Sequence, residues 1–208
     1  MKRLLIAIVL CTSVLACAQN SPRVLLFMRD AQSSGDLEYM LKKEAGVMKD
    51  TLEKSGYRVV VATLDGASVT AGSITLKTDI KLADVKVVDY AGFILPCLAV
   101  PSVPEPEVSP EAIAFVKEAI AAGKPVAAQT GSLWTLAKAG LLKGKKYAYA
   151  MPEQSPHYAG ATFAGTGVVR DGLVITSGIC PYMALKAKMN DGTEQLALAL
   201  VAAMKEKK

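Results

Sequence analysis

The sequence predicts an α/β domain, a three-layer sandwich in which helices cover both faces of a mostly parallel sheet. Short apolar and β-branched runs at 23–28, 58–64 and 91–95 have the length and composition of buried strands. Segments whose apolar residues recur at helical spacing separate these runs, and such alternation is typical of parallel sheets covered on both sides. With 208 residues, 51% of them hydrophobic, the chain is long enough for one well-buried core.

The first half of the domain contains three of the predicted buried strands. Its elements in order are a strand at 23–28, a polar loop at 29–35, a helix from about 36 to 55, a strand at 58–64, a minor strand and connector at 73–82, and a strand at 91–95. Gly56 supplies the C-terminal stop of the helix, and Asp65-Gly66 is a turn signal that closes the second strand.

The second half begins with a proline-rich loop and ends with a helix. Its elements in order are the loop at 101–110, a helix up to Gly123, a strand at 125–128, a helix at 132–139, two short strands flanking a turn at 171–172, and a final helix at 193–205. Ser109 is a favourable N-cap, Pro110 fits the first helical position, and Glu111 lies near the positive end of the helix dipole.

The N-terminus is predicted to be a signal peptide covering residues 1–18. Lys2 and Arg3 form a positive region, and the apolar run at 4–10 that follows is too short to span a bilayer as a helix. Two processing routes remain open. Cleavage after Ala18 would follow an ordinary signal-peptidase site, whereas acylation of Cys17 would make a bacterial lipoprotein. The chain is therefore expected to be exported, as a periplasmic protein or a membrane-anchored lipoprotein.

Charge gives no support for a nucleic-acid partner. The formal net charge is +5, and Lys2 and Arg3 belong to the predicted signal peptide. The remaining lysines are dispersed apart from two short runs, at 143–146 and 205–208, which are typical of solvated faces and helix ends. Contact with a membrane is expected only through a lipid anchor at Cys17.

Four side chains are expected at one edge of the predicted sheet. In open parallel sheets, ligands and chemistry lie outside the carboxyl ends of the strands. The residues that follow predicted strands at that edge are Glu38, Cys97, Thr130 and Cys180. They are therefore the candidate site residues on geometric grounds alone.

Four stretches together resemble the DJ-1/PfpI family, which has the flavodoxin-like, class I glutamine-amidotransferase-like fold. Residues 122–146, beginning A-G-K-P-V-A-A-Q-T-G, resemble the family's strand, elbow and helix. Residues 56–66 resemble its second strand, 89–96 its D-Y-D-A-L-V-L-P segment, and 171–177 its D-G-x-L-I-T-S segment. The resemblance covers most of a domain predicted to span 23–206.

The departures from the family pattern fall on the residues that carry its chemistry. Thr130 stands at the position of the nucleophilic cysteine, and Gly131 at that of the following histidine. The paired glycines of the oxyanion pocket become Cys97-Leu98, and the arginine of S-R-G-P becomes Gly178. Glu38 is matched to the acidic partner of the thiol, although the helix that follows it is about six residues longer than is typical.

These departures argue against the family's cysteine hydrolase, glyoxalase and deglycase activities, because a threonine hydroxyl is far less acidic than a thiol and needs a positioned base. The sole histidine, His157, is expected in an exposed loop. The leading expectation is a domain that binds a small ligand or a protein partner at the degenerate elbow pocket. That pocket is predicted to be lined by Glu38, Cys97, Leu98, Gln129, Thr130, Gly131, Gly178 and Cys180.

The two cysteines of the mature domain leave three alternatives open. Cys97 and Cys180 form a structural disulfide, remain inert buried thiols, or act as a reactive or metal-binding pair, in which case the domain is a thiol-dependent enzyme or redox protein. No zinc-ligand spacing is present, so neither a metal nor a cofactor is expected. The resemblance implies a homo-oligomer, since members of the family commonly form dimers.

Overall fold

Eleven strands are present in the computed structural model, which describes residues 21–28, 36–98 and 106–206. In chain order they are β1 (Arg23–Phe27), β2 (Arg58–Thr63), β3 (Val69–Ala71), β4 (Ile74–Leu76), β5 (Ile80–Lys81), β6 (Tyr90–Leu95), β7 (Val126–Gln129), β8 (Lys146–Tyr147), β9 (Thr162–Phe163), β10 (Val168–Asp171) and β11 (Val174–Ser177). Seven of them form one sheet in the order β10-β11-β7-β6-β1-β2-β5.

The sheet is parallel except at one edge. Every neighbouring pair from β11 to β5 is parallel, and β10 pairs antiparallel with β11 through the turn at Gly172, where φ is +64°. Parallel strands place their carboxyl ends along one edge of a sheet. Cys97, Thr130 and Cys180 therefore follow β6, β7 and β11 at the same edge, as the sequence predicted.

Helices cover both faces of this sheet. In chain order they are α1 (Leu37–Met40), α2 (Gly46–Lys54), α3 (Pro110–Ala121), α4 (Leu133–Lys138), α5 (Pro181–Ala187) and α6 (Thr193–Lys205). A π-helical turn (Leu41–Ala45) joins α1 to α2 without a break. The Ser109 side chain accepts the Ala112 N–H at 3.1 Å and caps α3, as predicted.

The alternation of side chains along the strands divides the core into two parts. On one face, Leu25, Phe27 and Phe93 pack with Phe115 of α3 and with Trp134 of α4. On the other face, the intervening strand residues pack against the helix that contains the π-turn and against α6. These residues include Val24, Leu26, Ile94, Leu41, Met48, Leu52, Leu196 and Leu200. The predicted three-layer α/β fold with a mostly parallel sheet is confirmed.

Three local elements differ from the prediction. The segment predicted as a minor strand and connector, 73–82, contains β4 and β5; β4 pairs with β3, which precedes the segment, in a hairpin outside the sheet, and β5 lies at the sheet edge. The β8–β9 pair and the short helix α5 were not predicted. Each is only two to seven residues long, which is too short for hydrophobic periodicity to be recognised.

Several predicted features lie outside the described residues: the signal peptide at 1–18, the lipidation site Cys17, the polar loop at 29–35 and the first half of the proline-rich loop, 101–105. Within the ranges that are described, every helix is too short or too polar to cross a bilayer.

Candidate functional site

The turn after β7 has the geometry of a nucleophile elbow, with a threonine at its apex. The backbone passes directly from the strand through Thr130 and a single 3-10 turn into α4. Thr130 has a φ of +38°, in the left-handed region that β-branched residues rarely adopt. The hydroxyl of Ser132 donates to the carbonyl of Pro96 and ties the elbow to the end of β6. The sharp turn is therefore kept, although its side chain is an alcohol.

A buried carboxylate that the sequence analysis did not identify lies at the end of β6. Glu44 is 0% exposed, and its two oxygens accept the main-chain N–H groups of Cys97 and Leu98, each at 2.9 Å. Leu98 adopts a φ of +54°. These are the two residues that the resemblance aligns with the family's glycine pair, and both of their main-chain N–H groups donate to Glu44.

The π-helical turn carries Glu44 towards the sheet. Such a turn holds one more residue than an α-helical turn and often occurs at functional sites. Lys43, the residue before Glu44, is exposed, whereas Glu44 is buried. The unusual length of this helix was a usable signal, because Glu44 lies six residues beyond Glu38.

Glu38 was predicted at the elbow, and the structure places it elsewhere. Its side chain is exposed and accepts hydrogen bonds from the hydroxyl of Ser73 at 2.8 Å and from the Ser73 N–H at 3.1 Å. These bonds, the hydroxyl first, lower the pKa of Glu38 below its ordinary value. Glu38 therefore binds the β3–β4 hairpin, because it lies at the start of the helix, well before the π-turn that reaches the sheet edge.

The sulfur nearest the elbow belongs to Cys97. Its Sγ accepts the main-chain N–H of Gly131, the residue after the elbow threonine, at 3.3 Å. Cys97 and Cys180 are 4% and 1% exposed and form a buried cluster with Met40. Neither thiol is in a disulfide.

The thiol of Cys180 is held in its protonated form. The hydrogen bond with Cys97, then burial, then the charges of Cys97 and Glu44 raise the pKa of Cys180 above its ordinary value. Cys180 also precedes the first residue of α5, Pro181. The structure thus brings Cys97, Gly131 and Cys180 together next to the elbow turn.

Three buried polar atoms close to the elbow have no hydrogen-bond partner among the described residues. They are Oγ1 of Thr130, Oε1 of Gln129 and Oγ of Ser177. Gln129 and Ser177 are register partners on β7 and β11. The amide nitrogen of Gln129 donates to the carbonyl of Ile179 and to the hydroxyl of Thr193. The Gln129 amide therefore links the elbow to α6 by a hydrogen bond. Among the described residues, no base accepts a hydrogen bond from the Thr130 hydroxyl.

Gly178, which stands where the family pattern has arginine, has no room for any side chain. A Cβ atom there would lie 2.5 Å from the carbonyl oxygen of Tyr149 and 2.8 Å from that of Thr166. The main chain at 149 and 166 closes over this position. Position 178 therefore supplies no cationic side chain to the predicted pocket.

His157 does not contribute to this site. It is exposed in a 3-10 turn, and its ring packs edge-on against Trp134 with centroids 6.4 Å apart. Across the ranges described, no three His, Cys, Asp or Glu side chains converge in a way that could hold a metal ion.

A cleft of about 370 Å³ lies between the helix that carries Glu44 and the N-terminal ends of α5 and α6, and none of the residues predicted to line the elbow pocket lines it. Tyr39, Lys43 and Val47 form one wall, along the helix that carries Glu44. The other wall consists of Pro181, which follows Cys180, of Asp191, which precedes α6, and of Glu194 and Gln195 in the first turn of α6. One wall thus carries a cation and the other two carboxylates.

Solved structures share this fold at low sequence identity. A ThiJ/PfpI domain protein from Brachyspira murdochii superposes with a TM-score of 0.65 at 17% identity, over 88% of this chain and 96% of that one. DJ-1beta from Drosophila melanogaster gives 0.56 at 22% identity, over 88% and 97%. DJ-1 from Toxoplasma gondii, in an oxidised form, gives 0.57 at 24% identity, over 88% and 97%.

None of the curated proteins compared with the chain matches it. The family model described as "DJ-1/PfpI family" matches residues 35–187, which include the π-turn, the elbow and both buried thiols. The parallel sheet, the elbow geometry and this match agree. The chain belongs to the DJ-1/PfpI family.

Proposed function

We propose that this protein is an exported, non-catalytic DJ-1/PfpI domain that binds a small zwitterionic ligand in the cleft between the helix that carries Glu44 and the N-terminal ends of α5 and α6. Export rests on the signal-peptide pattern of residues 1–18. The residues at the elbow support the absence of the family's covalent chemistry. The charges that line the cleft indicate the kind of ligand.

The observation that carries the proposal is the state of the elbow side chain. Covalent catalysis by an alcohol needs a base within hydrogen-bond reach of the hydroxyl. Oγ1 of Thr130 is buried and makes no hydrogen bond, as donor or as acceptor, within the described part of the chain. Without such a base, the hydroxyl keeps its proton at neutral pH and is a poor nucleophile.

The donors that would stabilise a developing oxyanion are occupied as well. Stabilisation of this kind requires N–H groups that point at the position where charge develops. The N–H groups of Cys97 and Leu98 point at Glu44, and that of Gly131 points at Cys97 Sγ. A carbonyl substrate would have to displace a buried carboxylate before it could use the first two.

The cleft offers a ligand site that needs no covalent step. Lys43 on one wall can pair with a carboxylate, and Asp191 with Glu194 on the other can pair with an ammonium group. The ring of Tyr39, on the same wall as Lys43, adds an apolar surface. A molecule that carries both charges, such as a free amino acid or a short peptide, matches this arrangement.

The test is isothermal titration calorimetry of the purified protein with a panel of free amino acids and dipeptides. We expect at least one member to bind, and the variants Lys43→Ala and Glu194→Gln each to weaken binding about tenfold, since a charge-assisted hydrogen bond contributes roughly 1.5–3 kcal/mol. Lys49→Ala is the matched control, because Lys49 is on the same helix and pairs with Glu53 instead. If no member of the panel binds at millimolar concentration, or if the Lys49 variant loses binding equally, the ligand assignment is wrong.

A further inference from the structure

Two thiols meet above the elbow although their strands are not neighbours. Cys97 follows β6 and Cys180 follows β11, and β7 lies between those strands in the sheet. The Cys97 sulfur accepts the N–H of Gly131, just past the end of β7, and is in hydrogen-bond contact with Cys180. The sulfur pair therefore bridges the end of the intervening strand.

The two sulfurs are not equivalent. Cys180 is the hydrogen-bonded thiol whose pKa is raised by Cys97, by burial and by the nearby charge of Glu44. Cys97 Sγ accepts the Gly131 N–H at the start of a helical segment, and such an N–H favours a thiolate. Cys97 is thus the electron-rich sulfur, and Cys180 is positioned to attack it once it has been oxidised.

We propose that Cys97 and Cys180 form a redox-responsive dithiol that closes to a disulfide in the presence of a small peroxide. The Cys97 sulfur attacks hydrogen peroxide, which becomes one water molecule as Cys97 becomes a sulfenic acid. The Cys180 sulfur then displaces the hydroxyl from Cys97. The S–S bond forms, a second water molecule leaves with the Cys180 proton, and the peroxide has been reduced by two electrons. This site goes beyond the ligand cleft and does not depend on it.

The surroundings favour a disulfide over a bound metal. A metal would require both sulfurs as thiolates, next to the buried carboxylate that already raises the pKa of Cys180. A disulfide carries no charge. The burial of both thiols also restricts the oxidant to a molecule as small as a peroxide, because a protein disulfide could not reach either sulfur.

The experiment oxidises the full-length reduced protein with hydrogen peroxide, blocks the remaining thiols with N-ethylmaleimide in denaturant, and maps the peptides by mass spectrometry. We expect a linked pair of peptides containing Cys97 and Cys180 with the loss of two hydrogens, which dithiothreitol reverses. Mapping separates this bond from any that involves Cys11 or Cys17. In Cys180→Ser, Cys97 should accumulate as sulfenic or more highly oxidised acid. In Cys97→Ser, Cys180 should be oxidised at least about tenfold more slowly, because burial and the charge of Glu44 still raise its pKa.

The wild-type protein alone can overturn the proposal, even if a variant fails to fold. Peroxide treatment that leaves both residues as maleimide adducts would overturn it. So would oxidation of Cys97 to sulfinic acid without a link to Cys180, or a mass increase from a retained metal that protects both thiols. Ligand titration in the cleft is read separately, so failure of either proposal is distinguishable from failure of the other.

Discussion

Glu44 and Cys97 are joined by a hydrogen bond of 2.9 Å between the Glu44 carboxylate and the Cys97 main-chain N–H, and both residues are buried. The same carboxylate accepts the N–H of Leu98. This arrangement fixes the end of β6 and fills the donor pair beside the elbow with a group from the protein itself. Neither of these two N–H groups is therefore directed at a ligand in this structure.

Removal of the Glu44 carboxylate should destabilise the fold. Glu44→Ala leaves two buried N–H donors without acceptors, at roughly 1–3 kcal/mol each, so we expect the free energy of unfolding to fall by about 3 kcal/mol in urea denaturation. Asp50→Ala is the matched control on the same helical stretch, and its exposed side chain should leave the urea midpoint nearly unchanged. Equal losses in the two variants would show that the burial of Glu44 has no energetic consequence.

The elbow hydroxyl should be dispensable for stability. Thr130→Val keeps the branched shape and removes a buried hydroxyl that has no partner within the described residues. The variant should therefore be more stable by about 1 kcal/mol. The comparison is Thr176→Val, because the Thr176 hydroxyl accepts the Ala148 N–H at 2.8 Å and its loss should cost about 1–3 kcal/mol. Destabilisation of the Thr130 variant in thermal denaturation would mean that its hydroxyl is bonded.

Gly178 has no space for a larger side chain. Gly178→Ala would push a methyl group to 2.5 Å from the carbonyl oxygen of Tyr149. We expect a loss of about 1–3 kcal/mol in the free energy of unfolding, as for other overpacked sites. Gly167→Ala is the control, since a Cβ there meets nothing within 4 Å. A Gly178 variant as stable as the Gly167 variant would refute the close approach of the main chain.

Asp171 should make the fold acid-sensitive. Its carboxylate accepts the Lys146 N–H at 2.9 Å and pairs with the Lys145 ammonium at 3.2 Å, and these bonds lower its pKa below the ordinary 3.8. A carboxyl with a depressed pKa in the folded state stabilises the fold above its unfolded pKa, and that stabilisation is lost as the pH falls through the folded pKa. Asp171→Asn should therefore be less stable than wild type near neutral pH, and the difference should shrink below pH 3.8 in urea titrations across the acid range. A stability difference between wild type and Asp171→Asn that grows as the pH falls would contradict a lowered pKa of Asp171 in the folded state.

Most of the fold could be predicted from the sequence because its main elements have strong local signals. The apolar runs of β1, β2, β6 and β7 and the capped start of α3 are examples. The final helix, α6, has the predicted bounds. The β3–β4 hairpin was harder to recognise because each strand has only three residues and none of them is fully buried.

The site was less predictable because it depends on a helical irregularity. Motif matching placed the carboxylate at Glu38, whereas the additional helical length and the π-turn bring Glu44 to the sheet edge. A π-turn has no local sequence signature comparable to a cap or a turn. The Cys97–Gly131 contact joins residues 34 positions apart and depends on the register of two strands, which composition does not reveal.

The measurement that tests most directly whether the elbow has lost its covalent chemistry is steady-state turnover of methylglyoxal by the purified, reduced protein. We predict no turnover above buffer for the wild type, and the same result for Thr130→Ala and for Cys97→Ser. Wild-type turnover that either substitution abolishes would contradict that prediction and would make the substituted residue the nucleophile.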